Sequence, residues 1–306
     1  MKPIFQLHLL VMVFAATAIL GRLISLPAPA IVCCRTFLAA VGAAIVTCLF
    51  KRKSLAAGKD TIRLLLIGAL VGLHWLCFFG AVKVANISIC LAGVATISLF
   101  TAFTEPWLEK RPIRMSEVLL GGLVAAGIVM IAGFERSSSH LLGLAIALLA
   151  AFLAAVFPVL NRRLVNQGRL DTQVMVAWEM TGAFIVVALL MPIVSGNIAS
   201  PIASWVQLFQ WHGYDWIWLL ALSWICTVFA HGFHIHLLRS LSAYTSNLAI
   251  NFEPVYGITA ALIIFKEYQD LHPGFYFGTL TIIGANAIHA GIPWWKARKQ
   301  RNLLDP

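Results

Sequence analysis

Apolar residues run along this chain in blocks of about twenty, separated by short polar connections. A helix needs about 20 residues to cross roughly 30 Å of hydrocarbon. Ten-residue stretches of strict alternation, which a membrane β-barrel requires, do not recur. Because lipid offers no partner for backbone N–H and C=O groups, the blocks are predicted to be helices. Ten blocks meet the length requirement: 5–25, 30–50, 62–82, 87–108, 116–133, 141–161, 172–194, 214–237, 243–265 and 274–293.

The composition agrees with a membrane protein. Apolar residues make up 60% of the chain and charged residues only 11%, whereas about a quarter of a soluble protein is charged. All six cysteines fall within predicted spans at spacings unlike a zinc or haem motif, so they are interpreted as packing residues. Gly68 and Gly72 form a GxxxG pattern, which predicts a close approach of two helices. The first block lacks a cleavage site and is predicted to be a retained span.

The formal charge of +10 is explained by topology. If the N-terminus is cytoplasmic, 17 of the 22 lysines and arginines fall on the inner side, four fall in outer connections, and Arg35 lies within a span. This asymmetry follows the positive-inside rule and predicts that both termini face the cytoplasm. It removes the reason to expect a nucleic-acid partner.

The two halves of the chain resemble each other at an offset of about 156 residues. Lys83 leads fifteen residues later to Ser98, and Arg239 leads fifteen residues later to Pro254. Because each half has five spans, the second copy would enter the membrane from the opposite side. An inverted repeat of this kind predicts an alternating-access transporter with its site between the halves. The predicted units are residues 1–135, residues 140–293 and a basic cytoplasmic tail at 294–306.

Three stretches carry a family resemblance. One is PAPAIVCCRTFLAA, which holds Arg35, and the others close the halves: SLFTAFTEPWLEKRPI with LLGGLVAAGIVMIAG, and EPVYGITAALIIFKE with GFYFGTLTIIGANAI. They resemble the two-domain EamA-type permeases of the drug/metabolite transporter superfamily. The chain departs from that pattern at Ser98, where the family has proline, and at Lys110 and Lys266, where it has glycine. The resemblance implies a multi-pass, inner-membrane secondary carrier, often an exporter of amino acids or related metabolites.

Glu253 is the first candidate for a functional side chain, because an ionisable group within a span costs several kcal/mol to bury. It lies near the middle of its span, and Pro254 removes a backbone hydrogen bond and bends the helix. A carboxylate there suits proton uptake and release, or the binding of an amine. A structural carboxyl satisfied by Arg35, a tryptophan N–H or Tyr256 is the alternative.

A second acid and three histidines lie in neighbouring spans. Glu179 is about eight residues into span 7, and both a functional role and structural pairing stay open for it. His231 and His234 share a helix face, whereas His236 points elsewhere. We expect His231 to line the transport pathway as a hydrogen-bonding or proton-linked group. The alternative is an intramembrane metal-dependent enzyme that uses the three histidines, and it would need further ligands.

Arg35 is the natural counter-charge to a carboxylate, either of the protein or of a substrate. Trp75 and Asn251 are expected in the cavity wall, since indole and amide groups bind ligands that have polar and apolar parts. Both also suit simple packing. An ATPase is not indicated, because the chain has neither a GxxxxGK[ST] motif nor a connection long enough for a nucleotide domain.

These patterns predict an all-α polytopic membrane protein with ten transmembrane helices in two inverted five-helix repeats. The predicted function is secondary active transport, outward, of a small polar or zwitterionic metabolite such as an amino acid, with protons as a candidate coupling ion. No enzyme activity, cofactor or metal is expected. The expected partners are the small-molecule substrate and the lipid bilayer, and the protein is expected to be a monomer or a homodimer. A channel is a further alternative, but it would need a continuous polar stripe along several spans.

Overall fold

The computed structural model describes residues 3–50, 58–113, 115–196, 198, 200–250, 252–285 and 287–288, and these residues form helices and no strand. The predicted tail at 294–306 lies outside them. The helices are α1 (Pro3–Leu23), α2 (Ala28–Ile45), α3 (Thr61–Val84), α4 (Ile87–Val94), α5 (Ile97–Glu109), α6 (Met115–Phe134), α7 (Ser138–Val165), α8 (Thr172–Val194), α9 (Pro201–Val206), α10 (Asp215–Leu220), α11 (Ala230–Leu237), α12 (Ala243–Ile250), α13 (Glu253–Ile264) and α14 (273–285). Turns of π-helix at Ala221–Phe229 join α10 to α11.

Seven helical segments of the described chain are long and apolar enough to cross a membrane. They coincide with the first four predicted spans and with the sixth, seventh and eighth, which confirms a multi-pass helical membrane protein. The remaining predicted spans correspond to α6, to the α12–α13 pair and to α14, and the count of ten stays a prediction. The seven segments are Pro3–Leu23, Ala28–Leu49, Gly58–Val84, Ile87–Glu109, Ser138–Val165, Thr172–Val194 and Asp215–Leu237.

Two of the predicted spans are broken near their middle. The first break separates α4 from α5, and there the Thr96 hydroxyl donates to the Gly93 carbonyl at 2.7 Å. The second separates α12 from α13, where Pro254 occupies the first turn of α13. Proline is tolerated in a first turn because its missing N–H would have no helical partner there. The sequence predicted the break at Pro254 from the proline itself. The break between α4 and α5 contains no proline and was not predicted.

The backbone repeats several local features at the offset of 156 residues. Lys110 and Lys266 both adopt the left-handed conformation, with φ 55° and ψ 38° for Lys110 and φ 55° and ψ 33° for Lys266. Asn86 accepts a hydrogen bond from the Ile89 N–H at 2.8 Å. At the corresponding position, the Ser242 hydroxyl accepts one from the Thr245 N–H at 3.0 Å. Corresponding broken spans therefore begin with the same kind of cap and end with the same backbone conformation.

Contacts between the halves follow the same offset. Asn247 of α12 donates to the Thr101 hydroxyl of α5 at 2.9 Å. The corresponding positions are Leu91 of α4 and Gly257 of α13, and a methyl group on Gly257 would overlap the Leu91 side chain. The two breaks therefore pack against each other, with α4 against α13 and α12 against α5.

Carboxylates cross from each half to the other. Glu267 accepts hydrogen bonds from the backbone N–H groups of Ile87 and Ser88 at 3.0 and 2.9 Å, and from the Ser88 hydroxyl at 2.6 Å. Glu105 accepts a hydrogen bond from the backbone N–H of Tyr244. The first turns of α4 and α12 carry unsatisfied N–H groups and a partial positive charge, so a carboxylate stabilises each of them.

Glycines bring α3 directly against α8. A methyl group on Gly68 would overlap the backbone carbonyl of Glu179, and one on Gly182 would overlap the carbonyl of Leu65. At Gly72 an added methyl would lie 2.9 Å from the Ala183 Cα atom. In lipid, small residues allow this backbone contact, and van der Waals packing then holds the helices together. We refer to this contact, made by Gly68, Gly72 and Gly182, as the glycine seam.

Candidate functional site

A cavity of about 80 Å³ lies where the two helix breaks meet. Val94 and Ile97 line it from the first break, and Ile250 and Glu253 line it from the second. Side chains of α1, α2, α3, α7 and the Asp215–Leu237 segment complete the wall. A single water needs roughly 15 Å³ of such space, so the cavity could hold several waters or a small ligand. It lies at mid-length of the spans, between the two halves.

Arg35 is buried beside this cavity, with 2% of its surface exposed. Its guanidinium carbon lies 3.5 Å from the centre of the Trp75 ring, in a cation–π contact. Its Nε donates to the Thr227 hydroxyl at 2.8 Å, and Nη2 donates to the Cys226 carbonyl at 3.4 Å. Among the described residues, no carboxylate lies within 4 Å of it and Nη1 has no hydrogen-bond partner. The cation therefore keeps one donor for a group inside the cavity.

The π-helical turns at Ala221–Phe229 explain how Arg35 is held. A π turn shifts backbone carbonyls out of the usual helical pairing and is frequent at functional sites. The Thr227 hydroxyl donates to the Leu222 carbonyl five residues earlier, at 2.8 Å. Because that donation uses its proton, the same oxygen is free to accept from Arg35. The local helix geometry thus provides the acceptors that orient the guanidinium.

Glu253 lines the same cavity and is 7% exposed. Within the described part of the chain, its carboxylate accepts no hydrogen bond and has no cation within 4 Å. Tyr256, a partner weighed from the sequence, is 40% exposed. Arg35, the other named partner, shares the cavity without forming an ion pair with it. The cavity therefore holds a buried acid and a buried base that do not neutralise each other by contact.

His231 and Glu179 form a buried pair beside the cavity. The His231 Nε2 atom lies 2.8 Å from a Glu179 carboxylate oxygen, and Asn161 donates to the same oxygen at 3.3 Å. His231 lines the cavity, whereas Glu179 is fully buried behind it. The glycine seam fixes this pair, because Gly68 holds the Glu179 backbone in place. The sequence singled out both residues but did not indicate that they touch.

The other predicted wall residues divide into two groups. Trp75 lines the cavity, 7% exposed and stacked under Arg35. Asn251 lies outside the described residues. Asn247, one helical turn earlier, lines the cavity, and its Oδ1 atom has no partner among the described residues. Sequence reasoning missed Asn247, although the helix predicted over 243–265 would have put it on the same face as the candidate Asn251.

The three histidines proposed for a metal site face different partners. His231 contacts Glu179, His234 lies 2.6 Å from the Ser246 hydroxyl, and His236 stacks on Phe233 with ring centres 6.2 Å apart. Over the described residues, no group of three or more histidines, cysteines or acids is arranged to hold a metal ion. His74, a further cavity residue, donates to the Ala150 carbonyl at 2.8 Å.

The fold and this site define a multi-pass helical membrane protein with a mainly apolar cavity between two sets of helices, into which a few charged and polar side chains project. Residues 141–291 match the model of the EamA-like transporter family. That family is part of the drug/metabolite transporter superfamily, so the match confirms, for this part of the chain, the resemblance predicted from the sequence motifs.

One further comparison bears on the fold. A crystal structure with 18% sequence identity is similar to this chain, with a TM-score of 0.60 over 95% of this chain and 96% of the other. At that identity the likeness shows the fold alone, but it extends well beyond the region matched by the family model. No curated protein sequence matches the chain.

Proposed function

We propose that this protein is a secondary transporter that moves a small zwitterionic metabolite, such as an amino acid, by alternating access. The observation that carries the proposal is that Arg35 and Glu253 line one buried cavity without forming an ion pair. Buried ionised groups cost several kcal/mol each unless they are paired. A ligand that carries both an amine and a carboxylate would pair both groups at once.

The geometry suggests how such a ligand would bind. Its carboxylate would accept a hydrogen bond from Arg35 Nη1, and its amine would donate to Glu253. The Oδ1 atom of Asn247 offers the amine a second acceptor. Pockets for drug-sized ligands measure roughly 300–1,000 Å³, so a cavity of about 80 Å³ favours a ligand of amino-acid size.

The repeated backbone features support the inverted repeat over residues 1–135 and 140–293. Both broken spans carry matching caps, matching left-handed ends and exchanged contacts at the same offset. Discontinuous helices at the midplane, with polar helix ends towards the site, are typical of transporters built from inverted repeats. Rocking of one half against the other about the two breaks would open the cavity to each side in turn.

The His231–Glu179 pair is the candidate proton site. It touches the cavity through His231 but is separate from the Arg35 and Glu253 groups assigned to the ligand. Loss or gain of a proton would change the net charge of a fully buried pair, which the low-dielectric interior makes costly unless the ligand compensates. Proton and ligand binding would thereby be coupled.

The proposed location rests on the charge distribution, and the proposed direction rests on the resemblance to EamA-type permeases, which are often exporters. We place the protein in the inner membrane with both termini in the cytoplasm, on the basis of its lysine and arginine distribution. Export is the proposed direction. Because the EamA-like family is a family of transporters, we infer that the chain has no enzyme activity.

Ligand-induced thermal stabilisation of the detergent-purified protein tests the site. The panel pairs each zwitterionic amino acid with the amine and the carboxylic acid that lack one of its charges. A ligand that binds only the folded state raises the unfolding temperature, and we expect this for zwitterions alone. Glu253→Gln should weaken binding about 30-fold, since a hydrogen bond to a charged group contributes about 2 kcal/mol. Asp270→Asn, an exposed acid away from the cavity, is the control.

The outcomes separate the two parts of the proposal. Zwitterions that stabilise wild type and Glu253→Gln equally would contradict the assigned site. In proteoliposomes, Glu179→Gln should still bind the ligand but lose the dependence of uptake on a pH gradient. Gradient dependence that is unchanged in Glu179→Gln would remove the proton site and leave the ligand site standing.

A further inference from the structure

A second cavity lies at the surface between α3 and α7, away from the central site. Its volume is about 450 Å³, and its walls are apolar: Leu66 and Leu70 of α3, and Leu160 and Leu164 of α7. Leu66 is 63% exposed and faces the surroundings, whereas Leu164 is buried at the back. We refer to this cavity as the α3–α7 groove.

The residues between α3 and α7 change in size along the two helices. Near the middle of α3, His74 donates to the Ala150 carbonyl of α7 at 2.8 Å. Further along, a methyl group on Gly143 of α7 would overlap the Ala85 side chain just after α3. Small residues therefore hold the helices together at that end. Towards the start of α3 and the end of α7, leucines take their place and line the groove.

Two arginines and a glutamine stand at the open mouth of the groove, on the predicted cytoplasmic side. Arg63 is in the first turn of α3 and Arg163 is near the end of α7. Asp60 binds one guanidinium nitrogen of Arg63 at 3.0 Å, which leaves most of its five N–H donors available. Arg163 is exposed and, among the described residues, has neither an ion pair nor a hydrogen bond. Gln167 adds a neutral donor.

We propose that the α3–α7 groove binds an anionic phospholipid, with its phosphate between Arg63 and Arg163 and an acyl chain along Leu66, Leu70 and Leu160. The charge complementarity selects the occupant. Arg162, the neighbour of Arg163, binds Glu109 at 2.8 Å, and of the two only Arg163 lines the groove. Basic pockets between membrane helices on the cytoplasmic side recognise anionic headgroups in this way. A free anion has no acyl chain, so the leucine walls would not contribute to its binding.

The lipid site lies on the side of α3 that faces α7, whereas the glycine seam lies on the side that faces α8. An occupied groove would fill the gap between α3 and α7 and support α3 against the seam. Because Gly68 of the seam holds the backbone of Glu179, the lipid would stabilise the region behind the central cavity without touching it.

Native mass spectrometry of the purified protein with phosphatidylglycerol and with phosphatidylcholine of the same acyl chains provides the test. We expect wild type to retain phosphatidylglycerol in preference. Each arginine near an anionic lipid contributes roughly fivefold in affinity. The double variant Arg63→Gln/Arg163→Gln should therefore bind phosphatidylglycerol about 30-fold more weakly, whereas Arg169→Gln, an exposed arginine outside the groove, should not change binding.

Two further arms keep the proposal falsifiable. Leu160→Trp fills the groove without removing charge, and it should weaken retention of phosphatidylglycerol as well. Glycerol 3-phosphate, which lacks acyl chains, should not displace the lipid. Equal retention of both lipids, retention unaffected by the double variant, or displacement by glycerol 3-phosphate would each overturn the proposal. If the double variant does not fold, Arg163→Gln alone, at an exposed and unpaired position, gives the fivefold test.

Discussion

The glycine seam and the central cavity are neighbours. The seam is closely packed, whereas the cavity keeps open space and polar groups without partners among the described residues. In the seam, the α3 and α8 backbones touch and no room remains for a methyl group at Gly68 or Gly182. In the cavity, about 80 Å³ stays open, and Arg35 and Glu253 line it without forming an ion pair. The seam therefore behaves as framework, and the cavity behaves as a site that a ligand completes.

Two buried acids show the same contrast. Glu267 is 4% exposed and accepts three hydrogen bonds at the start of α4. Glu253 is 7% exposed and accepts none from the described residues. The two acids are thus buried to a similar degree, but only Glu267 has hydrogen-bond partners within the described part of the chain. A satisfied buried carboxylate stabilises the fold, whereas an unsatisfied one destabilises it and is retained only where function needs it.

The largest expected effect is a loss of stability when a substitution overpacks the glycine seam. Gly68→Ala places a methyl group against the Glu179 carbonyl, and the helices must separate to admit it. Overpacking of this kind costs up to about 3 kcal/mol. Gly80→Ala is the matched control on the same helix, because its methyl group would have one neighbour, the Ile146 side chain, at 3.8 Å. Alanine is the better helix former, so Gly80→Ala should be neutral or stabilising by up to about 1 kcal/mol.

Denaturant titration in mixed micelles measures both variants. A loss in Gly68→Ala with none in Gly80→Ala would assign the effect to backbone contact. Equal behaviour of the two would mean that α3 and α8 do not meet at Gly68.

The second prediction compares the same substitution, glutamate to glutamine, at the two buried acids. Glu267→Gln removes the charge from the start of α4 and one of its acceptor oxygens, so the free energy of unfolding should fall by about 2 kcal/mol. Glu253→Gln replaces a buried carboxyl that has no hydrogen-bond partner among the described residues, so stability should be unchanged or higher. The same titration compares them. A Glu253→Gln variant as unstable as Glu267→Gln would show that Glu253 also has a structural role.

The long helices follow from the hydrophobic pattern. The predicted span 172–194 matches α8 at both ends, because a run of apolar residues and a capping Asp171 define it. The broken spans are harder. Pro254 announces the second break through its missing N–H, whereas the first break is held by a Thr96 hydroxyl that bonds its own backbone. Threonine makes such bonds in unbroken helices too, so its presence alone does not predict a break.

The cavity residues follow in part from a single rule. Ionisable groups within spans mark functional sites, and this rule places Arg35, His231 and Glu253 on the cavity. It does not predict the pairing of Glu179 with His231, because that contact joins residues 52 positions apart. It also misses Thr227, whose role depends on π-helical geometry that hydrophobicity does not encode.

The smallest expected effect concerns Glu135, a satisfied acid in the connection between α6 and α7. Burial raises its pKa, but hydrogen bonds from Ser137, His140 and Arg136 outweigh burial and hold the pKa below its usual value. A lowered folded-state pKa gives stability that is present above the usual value, about pH 4, and is lost as pH falls through the folded value. Because the connection is close to water, we expect this effect to contribute less than about 1 kcal/mol to the free energy of unfolding.

Unfolding temperatures between pH 3 and 7 should show this loss of stability in acid for wild type and for Asp270→Asn, a change at an exposed acid, but a smaller loss for Glu135→Gln. An undiminished loss in Glu135→Gln would place the acid sensitivity elsewhere, and Glu135 would then not share the framework role of Glu267.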